Sequence, residues 1–140
     1  LKGDAKTNAI IAVKSGLEIV VAQDADAIEN ASRNAGTIVD GMLGTGAAGP
    51  LRGLYLKAVD ACNNSDALRV ALDIPTGLDC DSGEPSDSTF LADHTITFVA
   101  EKVGFAKETA RSVIGQVHVI PIGVPNQLLS KFNVDPANPS

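Results

Sequence analysis

Two aspartates stand directly after short apolar runs, at points where strands of a parallel sheet are expected to end. Asp40 follows residues 37–39, and Asp73 follows residues 70–72. In open parallel sheets, ligands bind outside the carboxyl ends of the strands, so the two carboxylates are placed to share one site at that edge. For Asp73 a structural interpretation is equally good, because an aspartate side chain also caps turns.

A loop with little side-chain bulk follows Asp40. Its backbone N–H groups are suited to a phosphate at the start of a helix, although a tight turn that lets helix and sheet pack closely has the same composition. The pattern G-x-G-x-x-G occurs here once and is weak evidence by itself. The loop consists of Gly44, Thr45, Gly46, Ala47, Ala48, Gly49 and Pro50.

The other reactive side chains favour ordinary structural roles. His94 and His118 are far apart in sequence and lack the Cys or carboxylate spacing of a metal site. Cys62 is predicted to be a small core residue and Cys80 a loop residue, and neither has the accompanying His of a thiol nucleophile. Lys102 follows an apolar run, where a solvated turn is favoured over a phosphate contact.

The first part of the chain predicts a helix, a strand and a second helix. Asp4 is a suitable N-cap and Gly16 a suitable end for the first helix. The β-branched run 19–22 predicts a strand. Asp26, with Glu29 three residues later, resembles a capping box for the second helix.

The rest of the chain alternates between strands and helices. Pro50 is expected to be a first helical residue, and segment 75–90 is expected to be a long functional loop or a disordered connection. Apolar strands alternating with helices predict a parallel sheet covered on both faces, which is the α/β class. The predicted strands are 37–39, 68–72, 95–99 and 117–120.

Composition limits the class of protein. A chain of 140 residues with 44% hydrophobic content is expected to form one domain. The net charge of -6 argues against a nucleic-acid groove or a membrane-surface patch. Only two cysteines are present, so we expect a reducing compartment, the cytoplasm, rather than a disulfide framework. Because a helical pattern starts within about four residues and no Met precedes it, we expect an N-terminal truncation.

Several segments in one order resemble the YjeF N-terminal family, the NAD(P)H-hydrate epimerases. Residues 39–46 and 72–79, which contain the aspartates described above, match the family in order and spacing, and several motifs in register are more specific than a single glycine loop. Nearly the whole chain takes part in the resemblance. The further similar segments are residues 1–5 with Asn8, 92–98, 115–117 and 122–125.

The resemblance implies a Rossmann-like three-layer α/β/α sandwich with a mostly parallel sheet. The family domain would occupy residues 1–132, and residues 133–140 would be a tail or linker. The implied activity is the interconversion of the R and S epimers of hydrated NADH and NADPH at C6, with a bound potassium ion and often as a homodimer. Fused relatives carry a dehydratase domain that repairs the hydrate with ATP or ADP.

The resemblance also implies a role for each site residue. Asp40 matches an acid that coordinates potassium, and Thr76 stands in place of a Ser that contacts the same ion. Segment 44–50 matches the loop that surrounds the substrate. Asp73 matches a substrate-binding acid and is the candidate for proton transfer.

This chain departs from the family pattern in two places. Nothing in it matches the family's first strand and Gly-Asn-Asn-Gly-Gly-Asp-like loop, which supplies an Asn ligand to potassium and part of the phosphate cradle. We therefore expect the first strand and its glycine-rich loop to be missing. The second departure is Val103, where a Pro is usual.

Two other functions remain open from the sequence. A conventional NAD-dependent oxidoreductase would use Gly44–Gly49 as its dinucleotide fingerprint. A non-catalytic dimerisation and scaffolding module is the other, because a similar domain occurs in an RNA-decapping protein. Retention of Asp40 and Asp73 argues against the second.

Overall fold

Four parallel strands form the sheet of this protein, for which the computed structural model describes residues 2–46, 49–132 and 134. The strands are β1 (Thr37–Asp40), β2 (Leu68–Leu72), β3 (His94–Phe98) and β4 (Gln116–Ile120). They lie in the order β1-β2-β3-β4, and every neighbouring pair is parallel. The predicted α/β class with a Rossmann-like parallel sheet is confirmed. Residue 133 and residues 135–140, predicted to be tail, lie outside the described residues.

Five α-helices accompany the sheet within the described residues. Two stretches, a 3-10 turn at Val103–Ala106 and the helix Glu108–Ile114, lie between β3 and β4 and were not predicted. None of the helices in this part of the chain has the length and apolar character needed to cross a membrane. The helices are α1 (Gly3–Lys14), α2 (Ala25–Arg33), α3 (Gly53–Asn63), α4 (Glu108–Ile114) and α5 (Asn126–Lys131).

Helices α3 and α4 pack on the same face of the sheet. Residues that are paired across parallel strands point to one face, and Asp40, Ala71 and Val117 belong to one such row. Ala71 packs in the cluster that contains α3, and Val117 packs against the cluster that contains α4. Because successive right-handed crossovers all move in the same direction across the sheet, they place their helices on the same side.

The opposite face of the sheet is open at several positions. Val39, Leu72 and Ile120 point to that face, since they alternate with the covered positions along their strands. Their side chains are apolar, and these residues are 37% to 57% exposed. The helices α3 and α4 therefore form one covering layer on the sheet. Within the described residues, the helix layer predicted for the other face does not cover these three positions.

The core consists of two clusters under the covering helices. The first lies between α3 and the sheet and contains Val59, Ala71, Phe90 and Ala92. The second joins α4 to the loop after β2 and contains Ile74, Leu78, Phe105, Ala110, Val113 and Ile114.

The long segment between β2 and β3 is an ordered loop with core residues in it. Phe90 is fully buried and Ile74 is 2% exposed, so apolar burial holds both ends of the segment. The amide of Asn63 at the end of α3 donates to Thr89 O at 2.8 Å and accepts from Leu91 N at 2.8 Å. Of the two possibilities for segment 75–90, the disordered connection is therefore wrong.

The predictions for the first helix and the strand after it were wrong in detail. α1 begins at Gly3 after Lys2, which makes no side-chain capping bond, so Asp4 lies inside the first turn. Residues 19–22 form no strand, and Val20 and Val21 are each 75% exposed. A strand is stable only beside a neighbour that pairs its N–H and C=O groups, and none of the described strands lies next to this run.

Two helix starts also differ from the prediction. The N-cap of α2 is Asp24, whose side chain accepts from Ala27 N at 2.9 Å, so the capping box at Asp26 is wrong. α3 begins at Gly53, three residues after Pro50. Several residues near a helix start have capping chemistry, and local sequence does not choose among them.

Three hydrogen bonds between Arg69 and Asp93 connect the start of β2 to the residue before β3. Asp93 accepts from Arg69 N at 2.8 Å and from the Arg69 guanidinium at 3.2 Å, while Asp93 N donates to Arg69 O at 2.8 Å. The backbone N–H of Arg69 is the main cause that lowers the pKa of Asp93, with the guanidinium of Arg69 adding to it. The folded protein therefore favours the ionised form of the Asp93 carboxyl group.

We predict that Asp93→Asn removes a pH-dependent part of the stability. A carboxyl whose pKa is lowered by folding stabilises the fold above its unfolded pKa of about 3.9, and this contribution is lost as the pH falls through the lowered value. In urea unfolding, the free energy of unfolding of the wild type should exceed that of Asp93→Asn at pH 7, and this difference should be smaller at pH 3. Asp66→Asn, at an exposed position, is the control, and an equal gap at both pH values would contradict the prediction.

Candidate functional site

Asp40 is a buried carboxylate at the carboxyl end of β1. It is only 2% exposed. Its Oδ2 accepts from Thr76 N at 2.7 Å, and its Oδ1 accepts from the Thr76 hydroxyl at 2.8 Å and from Met42 N at 3.1 Å. No Lys, Arg or His of the described residues forms a salt bridge with it. Hydrogen bonds to a charged group are worth about 1.5–3 kcal/mol each, so these donors offset the cost of burying the charge.

Thr76 connects the loop after β2 to the loop after β1. It is 1% exposed, and its hydroxyl, which donates to Asp40, also accepts from Leu43 N at 3.2 Å. The structure therefore brings together Asp40 and Thr76, the two residues for which the sequence implied a common ligand. The two loops that start at the ends of neighbouring strands are joined through one side chain.

Asp73 follows β2 in a sharply bent backbone. Its φ angle is +68°, and Ile74 N donates to Leu72 O at 2.9 Å across it, which describes a γ-turn of the rare, strained type. The side chain is 27% exposed. Oδ1 lies 2.6 Å from Lys102 Nζ and 3.4 Å from the hydroxyl of Thr97. Asp73 is thus at the same sheet edge as Asp40 but has partners of its own.

An open cleft of about 460 Å³ lies beside the Asp40–Thr76 link. Pro75 and Gly77, which flank Thr76, line it, and so does Leu43. The charged residues of its lining are one base and three acids, so an anionic ligand held there would require a cation. Those charged residues are Arg52, Asp79, Glu84 and Asp87.

The glycine loop forms one wall of this cleft. Gly44, Gly49 and Pro50 belong to the lining. Thr45 and Gly46 are exposed, and the carbonyl of Thr45 accepts a weak hydrogen bond from the thiol of Cys80 at 3.9 Å. Ala47 and Ala48, which were also predicted to contact the substrate, lie outside the described residues.

Both cysteines are poor nucleophiles. Burial, followed by the nearby charge of Asp40, raises the pKa of Cys62. Burial is also the largest cause that raises the pKa of Cys80, with Asp81 adding to it. Because the thiolate is the reactive form, these raised pKa values disfavour both thiols as nucleophiles at neutral pH.

The two histidines meet in space, although they are far apart in sequence. His94 Nδ1 lies 3.1 Å from His118 Nε2, and the rings are tilted by 40°. The register pairs Ile96 with His118, so both histidines are on the open face of the sheet, opposite Asp40. The two residues are on adjacent strands, a proximity that only the strand order reveals.

A comparison with known families assigns the chain. The model of the YjeF-related protein N-terminus matches residues 1–104. The chain belongs to the YjeF N-terminal family. Its Asp40 and Asp73 segments both lie inside the matched region of this YjeF domain, so the resemblance drawn from the sequence is confirmed.

Curated proteins from several organisms are similar to this YjeF domain. It is 53% identical, over 96% of its length, to an NAD(P)H-hydrate epimerase of Rhodopirellula baltica. It is 41% identical, again over 96% of its length, to an NAD(P)H-hydrate epimerase of Pirellula staleyi. A bifunctional NAD(P)H-hydrate repair enzyme of Archaeoglobus fulgidus is 50% identical over 66% of the chain and 19% of its own length. The chain spans 54% and 61% of the first two relatives.

Thr76 gives this YjeF domain a testable structural dependence. Thr76→Val removes the hydroxyl that donates to Asp40 and leaves the partly buried N–H of Leu43 without its acceptor, so we predict a loss of about 2 kcal/mol in the free energy of unfolding. Thr76→Ser keeps the hydroxyl and should cost less than about 1 kcal/mol, the value of one methyl group. Urea unfolding measures both, and equal losses in the two variants would contradict the hydrogen-bond explanation.

Proposed function

We propose that this chain is the part of an NAD(P)H-hydrate epimerase that holds the hydrated nicotinamide ring and moves its proton. The observation that carries the proposal is the pair of carboxylates at one sheet edge, Asp40 buried and Asp73 partly exposed, with an open cleft beside the link between Asp40 and Thr76. The relatives named NAD(P)H-hydrate epimerase, which align with 96% of the chain, support it.

Asp40 and Thr76 are the proposed potassium ligands. A carboxylate and a hydroxyl are oxygen donors, which hard cations prefer. Asp40 carries a buried charge without a protein cation beside it in the described residues, and the cleft lining is acidic, so the donor set fits a monovalent cation. A bound potassium ion would offset the negative charge of these acids and of the phosphates of the dinucleotide.

Asp73 is the proposed proton carrier. In hydrated NADH, C6 bears a hydroxyl group and is bonded to the ring nitrogen N1. The carboxylate of Asp73 takes the hydroxyl proton and passes it to N1 while the C6–N1 bond breaks, which leaves an aldehyde at C6. Rotation presents the other face of the aldehyde to N1, and the reverse steps close the ring with inverted configuration. Asp73 starts and ends as a carboxylate, and no proton is gained or lost.

The glycine loop is proposed to hold the rest of the substrate. Gly44, Gly49 and Pro50 line the cleft, and the neighbouring Thr45 and Gly46 present a backbone with little side-chain bulk. We assign the same role to Ala47 and Ala48 from the family resemblance. Close approach of a ligand to main-chain N–H groups is the use that such small residues permit.

The environment of the enzyme is proposed by the same reasoning. Two free cysteines fit a reducing compartment, for which we propose the cytoplasm. A homodimer and an ATP- or ADP-dependent hydrate dehydratase, fused or separate, are the proposed partners. The bifunctional repair enzymes among the relatives support the second of these.

The potassium site predicts a cation-dependent stability. Exchanging potassium chloride for tetramethylammonium chloride at equal ionic strength should lower the thermal midpoint of the wild type, because only the folded state binds the smaller ion. Asp40→Asn should show no difference between the two salts, whereas Asp66→Asn should respond like the wild type. Equal midpoints of the wild type in both salts would remove potassium from the proposal.

The activity test uses one purified epimer of hydrated NADH and follows its equilibration by chromatography. This chain and a chain extended upstream are assayed, each as wild type, as Asp73→Asn and as the control Asp66→Asn. Asn adopts the backbone angle of Asp73 as readily as Asp does. We expect Asp73→Asn to lose at least about 100-fold in rate, the contribution typical of general acid–base catalysis, and Asp66→Asn to keep the wild-type rate.

The alternatives give different results in that assay. If neither wild-type chain equilibrates the epimers but both fold and self-associate, the epimerase proposal is wrong and a scaffolding module is supported. Substrate-dependent hydride transfer to NAD without epimerisation would support the oxidoreductase. If Asp73→Asn is as fast as the wild type, the proton carrier is a different group.

A further inference from the structure

Lys102 is the cation nearest to the proposed proton carrier, although the sequence favoured a solvated turn for it. It follows β3, and its Nζ lies 2.6 Å from Asp73 Oδ1 and 3.4 Å from Phe98 O. The side chain is only 19% exposed. A lysine with most of its surface covered and its ammonium group directed at one carboxylate differs from a solvated turn residue.

The backbones on both sides of this ion pair are bent in the same unusual way. Asp73 after β2 and Val99 after β3 are the non-glycine residues with positive φ in the described chain, at +68° and +73°. At each turn, a backbone N–H donates to the carbonyl two residues earlier. Ala100 N donates to Phe98 O at 2.9 Å, and Ile74 N donates to Leu72 O at 2.9 Å. Such conformations cost about 1–3 kcal/mol each and persist where surrounding contacts enforce them, often at functional sites.

The ion pair anchors one oxygen of Asp73 and leaves the other accessible. Lys102 and the hydroxyl of Thr97 are both directed at Oδ1. Oδ2 has no hydrogen-bond donor in the part of the chain that the structure describes, and the side chain is 27% exposed. A carboxylate held by one oxygen presents the second in a fixed position, which is what a proton transfer to a bound ring requires.

We propose that Lys102 is a positioning residue for Asp73, fixing its carboxylate so that Oδ2 meets the C6 hydroxyl group and N1 of the hydrated nicotinamide ring. This inference rests on the proposed epimerase function and adds a second residue to it. The ammonium group also keeps the net charge of the pair near zero, which favours the approach of a dinucleotide that carries phosphate charges.

The test is a set of lysine variants in whichever wild-type chain equilibrates the epimers. Lys102→Ala should lower kcat about 100-fold, the loss expected when a reacting group is displaced by about 1 Å, with KM changed by less than about threefold. Lys102→Arg should recover about tenfold of that loss. Added methylammonium should restore part of the Lys102→Ala rate with saturation, because it fills the space of the missing ammonium group. Lys57→Ala, at an exposed position of α3, is the control and should keep the wild-type rate.

Chemical rescue separates positioning from mere support of the fold, because a small amine does not refold a damaged protein. The inference is overturned if Lys102→Ala keeps kcat within about twofold, or if the variant is folded by circular dichroism and methylammonium restores nothing. In both cases an active wild type and an inactive Asp73→Asn would leave the proposed function standing. A wild type that fails to equilibrate the epimers overturns the proposed function itself.

Discussion

The buried carboxylate of Asp40 is the constraint on which the site end of this sheet depends. An ionised group that is 2% exposed must be surrounded by donors, and the chain supplies them from its own loops. Two of the three come from Thr76, which is 36 residues away in sequence. Satisfying one charge therefore fixes the relative position of two loops. Because these two loops line the cleft, the hydrogen bonds to Asp40 also determine the shape of the cleft.

A second constraint operates one strand further along. The tight turns at Asp73 and Val99 directly follow β2 and β3 at one edge of the sheet, and Lys102 connects the end of β2 to the loop after β3. The cost of the strained backbone at Asp73 is offset by the ion pair with Lys102 and by the hydrogen bond from Asp73 N to Ile96 O at 2.7 Å. The backbone conformation of Asp73 is unfavourable for folding, yet it places a carboxylate where the proposed chemistry needs it. Such a conflict is common at functional sites.

Much of the sheet could be predicted from the sequence, because strands β1 to β4 are short apolar runs with turn residues around them. The two aspartates were found for the same reason, since a strand end is visible as the first polar residue after such a run. The meeting of Asp40 with Thr76 was expected only through the family resemblance. Pairwise proximity across strands depends on register, which a single sequence does not show.

The failures of prediction have physical causes as well. Residues 19–22 have the composition of a strand, but strand structure depends on a neighbour and not only on β-branched side chains. Lys102 was assigned to a solvated turn because a lysine after a strand has no local signal for its partner. His94 and His118 were judged separately for the same reason, although they are 3.1 Å apart.

The sequential strand order has a consequence for how the molecule behaves as a colloid. Within the described residues, α3 and α4 cover one face of the sheet. On the other face, the apolar side chains of Val39, Leu72 and Ile120 are exposed to water. Exposed apolar side chains attract apolar dyes and other apolar surfaces. Environment-sensitive dyes should brighten on it, and its osmotic pressure should fall below the ideal value as concentration rises.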